Sequence, residues 1–215
     1  MVYWPHWAAM GGQGGQKEMA AAQMENLMDW VSAQLAQGGG PLVVAIDGRC
    51  GSGKTTLAAA LAEHFPASLT LHMDDFYLPL GQRAPDWENT PCANMDLDRF
   101  LAEALAPARA GQTVRYRAYS CARGALEPER LLAPQPLVLV EGSYSHHPKL
   151  AGFYHHKIFV TCPAEEQARR LMAREGERYS NFARRWIPLE EGYFAAWQIP
   201  QKADRILDTG AEPLE

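Results

Sequence analysis

Apolar residues recur along the chain in two rhythms, one helical and one extended. Met24, Leu27, Met28, Val31 and Leu35 share one helical face, so the spacing predicts a helix over 18–37, ended by Gly38-Gly39-Gly40-Pro41. Leu42 to Ile46 is apolar throughout and predicts a strand buried on both faces. An Ala- and Leu-rich stretch from Lys54 to Phe65 predicts a helix stopped by Pro66. Leu69, Leu71 and Met73 alternate with Thr70 and His72, the period of a second strand. Residues 78–95 carry three prolines and a glycine and predict an irregular excursion. Leu97, Phe100, Leu101, Ala104 and Leu105 return to helical spacing over 97–109. Short strands are predicted at 113–119, as an edge, and at 136–142, 157–162 and 205–209, with helices at about 164–175 and 189–198.

Strands alternating with helices, several of them apolar on both faces, predict an α/β fold: a three-layer, mainly parallel sheet with helices on both faces. A chain of 215 residues suits one domain over 19–215, with an insertion at about 76–120. Residues 1–18 read as a disordered extension, with Met19 or Met24 as alternative natural starts, and without the basic and apolar blocks of a signal peptide. No apolar run approaches the roughly 18 residues of a membrane span. The net charge of −5 argues against nucleic acid or an anionic membrane as the main partner. Cys50, Cys92, Cys121 and Cys162 are widely separated, which favours reduced thiols and a cytoplasmic setting over a disulfide framework or zinc.

Gly48-Arg49-Cys50-Gly51-Ser52-Gly53-Lys54-Thr55, followed by Thr56, matches G-x-x-x-x-G-K-[ST] between a predicted strand and a predicted helix. The glycines let backbone N–H groups converge on phosphates, and the helix N-terminus adds a favourable dipole. Lys54 suits the β- and γ-phosphates of a nucleoside triphosphate, and the Thr55 hydroxyl suits Mg²⁺. Glu141 closes the apolar strand at 136–142, a position for a carboxylate that holds Mg²⁺ or for a plain solvated acid. Asp74, beside Asp75, ends the second strand: an acceptor-side base, or a turn cap.

"DGRCGSGKTT", "MDDFY", "NMDLDRF", "YRAYSCAR", "VEGSY" and the Arg-rich stretch after "VTCP" occur in an order that resembles the uridine kinase and phosphoribulokinase-like family of P-loop kinases, over roughly 42–180. The resemblance implies ATP- and Mg²⁺-dependent phosphoryl transfer to a hydroxyl of a small molecule, most simply a nucleoside; a kinase for a sugar phosphate or pantothenate-like alcohol, or a non-catalytic ATP-binding module, is the alternative reading. It implies Asp74 as catalytic base, with Tyr77 beside the acceptor and Asp75 in a variable slot, left to a metal-bound water or a turn. Asp96 takes the position of a sugar-binding carboxylate, though it also suits a helix N-cap. Tyr116 and Arg123 match the family's acceptor strand, but Cys121 stands where uridine kinases have a base-reading His. Gln167, Arg170 and Arg174 share one helical face in a lid over 164–185, whose arginines would clamp the transferring phosphate; a solvated face of i,i+4 ion pairs is the other reading.

Other conspicuous residues are assigned no chemistry. His146-His147 and His155-His156 lack a further ligand at zinc spacing. Trp186, Tyr193, Phe194 and Trp197 suit a core or a homo-oligomer interface, and Trp87 suits the acceptor side. The sequence lacks both the N-K-x-D of switch GTPases and the L-S-G-G-Q of transport ATPases.

Overall fold

The computed structural model of the protein describes residues 14–210. Five strands, β1 (Leu42–Gly48), β2 (Ser68–His72), β7 (Leu137–Glu141), β8 (His156–Thr161) and β9 (Arg205–Asp208), form one sheet in the order β2-β7-β1-β8-β9. Every pairing in it is parallel. Parallel strands need covered faces, and the alternation of side chains supplies two cores. Val43 and Ala45 of β1 and Val138 and Val140 of β7 join Leu71, Phe76, Phe100, Tyr193 and Phe194 on one face. Val44, Ile46, Leu137 and Leu139 join Val31, Leu57 and Leu61 on the other, beneath helices α1 (Gly14–Leu35) and α2 (Lys54–His64).

The first face is closed by helix α3 (97–109) and by α5 (Ile187–Trp197), while α4 (Ala164–Glu175) follows β8. Both α3 and the approach to α5 contain a wide π-helical turn, Phe100–Leu105 and Phe182–Trp186. Each is followed two residues later by a proline, Pro107 and Pro188, which has no N–H to continue the ladder.

Three expectations change. The first helix begins at Gly14, so residues 14–18 are helical; the rest of the expected extension, 1–13, lies outside the described residues. The stretch expected as an edge strand is instead one arm of a separate antiparallel ribbon. There β3 (Val114–Tyr116) pairs β6 (Arg130–Leu132), and β4 (Tyr119–Ser120) pairs β5 (Ala125–Leu126). Gly124, in the left-handed region at φ 62°, permits the reversal. The final helix is reached through helical turns from Tyr179 onward rather than starting near 189.

Register brings the C-terminal strand ends level. Ile46 lies opposite Glu141, and Glu141 opposite His72. Gly48 lies opposite Val160, and a Cβ on Gly48 would stand 1.9 Å from the Val160 carbonyl oxygen, at φ 143°. Gly48→Ala should therefore destabilise the fold by about 2 kcal/mol or more, seen as a lower urea midpoint with an unchanged slope.

Candidate active site

The phosphate loop grows out of β1. Gly51 and Gly53 hold φ 76° and 98°, the left-handed values that turn the chain into α2. The Lys54 ammonium donates to the carbonyls of Gly48 (2.7 Å) and Arg49 (3.0 Å), so it sits within the loop. Asp47, fully buried, accepts the Gly48 N–H, the His146 N–H and the Tyr193 hydroxyl. Arg49 pairs with Glu191 of α5. Thr56, next after Thr55, lies in the first turn of α2, half-buried.

The Thr55 hydroxyl donates to Glu141 Oε2 at 3.1 Å, so the two residues expected to share a metal are adjacent. The other carboxylate oxygen of Glu141 meets His72 Nδ1 at 2.5 Å. That bond holds the His72 ring above its ordinary pKa, against the opposing effect of partial burial. His72 is a site residue that sequence reasoning passed over; its signal was its place opposite Glu141 in the β2–β7 register.

Beyond β2 the chain makes a tight turn, Met73–Phe76, which separates the paired acids. Asp74 is exposed, and its Oδ1 accepts the Tyr77 hydroxyl at 2.8 Å. Asp75 points the other way, and its Oδ2 accepts from the Tyr116 hydroxyl and from Arg130 Nη1, both at 2.7 Å. Burial, reinforced by Asp75, pushes the Tyr116 hydroxyl up to about 12. The Tyr116 ring stacks on Phe76 with centroids 5.0 Å apart. Arg130 had no motif to mark it; only its register opposite Tyr116 brings it here.

Other expected residues take definite places. Asp96 caps α3, accepting the Arg99 N–H at 3.0 Å, and Arg99 also reaches the carbonyls of Asp75 and Arg117. Arg123 lies at the ribbon tip beside exposed Cys121, paired with Glu127. Arg170 is turned onto the carbonyl side of the loop, 3.4 Å from Gly51 O and 3.5 Å from Ser52 O, and donates to Thr209 and Glu166. Arg174 pairs with Glu175 and lies over the Phe182 ring. Trp87 meets Trp186 at 6.2 Å, between Arg83 and Arg185, while Tyr193 and Phe194 are core. Of the histidines, His146 is buried against the Ala45 carbonyl, and His155 Nδ1 accepts the Val43 N–H.

A family model described as an AAA domain matches residues 44–186. Uridine kinase from Chloroflexus aggregans is 33% identical over 145 residues, covering 63% of this chain and 68% of that protein. The chain belongs to the uridine kinase-like family of P-loop kinases. Human nicotinamide riboside kinase 1 is 27% identical over 135 residues, covering 61% of the chain and 64% of that kinase. A Bacillus stearothermophilus structure described as a possible uridine kinase shares the fold, with a TM-score of 0.65 at 19% identity, covering 86% of this chain and all of that one. The chain is thus a kinase with a nucleotide-binding P-loop. Among the described residues no helix is long and apolar enough to cross a membrane.

Bonds from Arg169 hold the Glu166 carboxyl at about 2, opposed by its partial burial and helped by Arg170. A carboxyl depressed in the folded state adds stability above its ordinary value of 4.5, and that stability is lost as pH falls through the folded value. Glu166→Gln should flatten the decline of the urea midpoint between about pH 4.5 and 2; an unchanged decline would assign the acid sensitivity to other carboxylates.

Proposed function

We propose that this kinase transfers the γ-phosphate of ATP to a hydroxyl of a small molecule, most simply the 5′-hydroxyl of a ribonucleoside, with Mg²⁺ bound. One observation carries the reading: the phosphate loop, the Thr55–Glu141 pair and exposed Asp74 occupy the C-terminal ends of three adjacent strands. Ligands of open parallel sheets bind at that edge.

Thr55 and Glu141 offer only oxygen donors, which suits a hard cation that keeps much of its water. Mg²⁺ held by these two residues would neutralise charge on the phosphate oxygens. Amide groups of the loop and the Lys54 ammonium orient the phosphates. Asp74 then accepts the acceptor's hydroxyl proton as that oxygen bonds to the γ-phosphorus. The bond from phosphorus to the bridging oxygen breaks, and ADP leaves with the electron pair.

The choice of Asp74 over Asp75 rests on their partners. Asp75 is already engaged by a guanidinium and a phenol, which hold it away from an incoming hydroxyl. Asp74 has a single phenol partner and stands open to an incoming hydroxyl. Burial, and then Asp74 itself, keeps Tyr77 protonated well past neutral pH, so Tyr77 serves as a fixed donor. Arg174, free of loop contacts, is the better placed of the two expected arginines to meet the transferring phosphate. Arg170 supports the loop from its carbonyl side.

A riboside acceptor draws support from the relatives, whose names carry uridine and nicotinamide riboside. Cys121, in the slot of the base-reading His, favours a riboside other than uridine. Sugar phosphates and pantothenate-like alcohols are the competing acceptors. Asp74→Asn should lower kcat by about 10²–10⁴-fold and leave ATP affinity within about twofold. Full turnover in that variant would overturn the assignment.

A further inference from the structure

The loop residue Cys50 has both halves of its backbone bound by buried side chains. Glu190 Oε2 accepts its N–H at 2.9 Å, and Gln167 Nε2 donates to its carbonyl at 3.0 Å and to its sulfur at 3.4 Å. Gln167 is 2% exposed and Glu190 5%, so neither is a surface contact. A buried carboxylate left short of donors is costly. Glu190 meets that cost with a second bond, from the Ser143 hydroxyl at 2.8 Å. Ser143 lies two residues past Glu141, so Glu190 joins the phosphate loop to the strand end bearing the proposed metal carboxylate.

Gln167 lies on α4 and Glu190 on α5, the two helices at the ends of the arginine-bearing segment. Other contacts repeat the arrangement. Leu171 of α4 packs where a Cβ on Gly51 would come within 3.1 Å, Arg170 meets the next carbonyls of the loop, and Glu191 of α5 pairs with Arg49. The segment that carries Arg178, Arg184 and Arg185 is therefore strung between two helices that hold the two peptides flanking Cys50.

We propose that Gln167 and Glu190 are positioning residues that fix the two peptides flanking Cys50 from both roots of the arginine segment, so that nucleotide on the loop orders that segment. The proposal rests on the loop's being the ATP cradle. It assigns neither side chain any contact with substrate. Rotation of the Cys50–Gly51 peptide would turn the Cys50 carbonyl toward the phosphates and shift the amides that follow. Filling the loop with phosphate should in turn stiffen both roots.

The test uses the full chain, a non-hydrolysable ATP analogue and amide hydrogen exchange over 176–186. In the wild-type protein the analogue should slow that exchange. Glu190→Ala and Gln167→Ala should each lose the slowing at saturating analogue, and raise the Kd for ATP by about 10- to 100-fold. Glu190→Gln can still accept from Cys50 N–H and donate to Ser143 Oγ, and should retain the slowing with affinity within about threefold. The double alanine variant should lose less than the product of the two single losses, since both side chains hold the same residue, Cys50, through adjacent peptides. Wild-type exchange and affinity in the folded alanine variants would overturn the proposal. So would a wild-type protein that binds the analogue with no change over 176–186. All these readouts are independent of the acceptor; failure to bind ATP at all would instead overturn the cradle reading itself.

Discussion

Asp47 is fully buried at the end of the central strand and accepts hydrogen bonds from the loop at Gly48, the turn after β7 at His146, and α5 at Tyr193. An ionised carboxylate without those donors would cost several kcal/mol in such surroundings. The three elements must therefore arrive together, and their joint arrival fixes the root of the phosphate loop. The same convergence brings Ser143 and Glu190 into contact, and so ties the loop to the strand end of Glu141.

The proposed acceptor side is built differently. It depends on side chains far apart in sequence, above all Asp75 with Tyr116 and Arg130, 41 and 55 positions away. Arg99 adds a third tie, capped by Asp96 and reaching both the turn at Asp75 and the ribbon at Arg117. The turn that carries Asp74 is thus braced from α3 and from the ribbon, while Asp74 itself is left open. A rigid support beneath an accessible carboxylate is what the proposed role of Asp74 demands.

The sheet was legible in the chain because parallel strands read as continuous apolar runs, and the loop because its glycines fall between such a run and a helix. The meeting of Thr55 with Glu141 was legible for a related reason: each stands at the end of an element whose direction the pattern had set. The ribbon was misread because Val114 to Tyr116 alternates like any edge strand, and its partner, Arg130–Leu132, is short and largely exposed. His72, Arg130, Gln167 and Glu190 carry no local signature. Their significance comes from register and from contacts across more than fifty residues, which spacing along the chain does not encode.

Incubation with ATP, Mg²⁺ and a panel of acceptors, read by the mass of each acceptor, tests the central claim most directly. The panel needs several ribonucleosides, sugar phosphates and pantothenate-like alcohols. The account predicts that one class, with ribonucleosides expected first, gains the mass of a single phosphoryl group as ADP appears in equal amount. ATP turned over to ADP and free phosphate, with every acceptor unchanged, would contradict it.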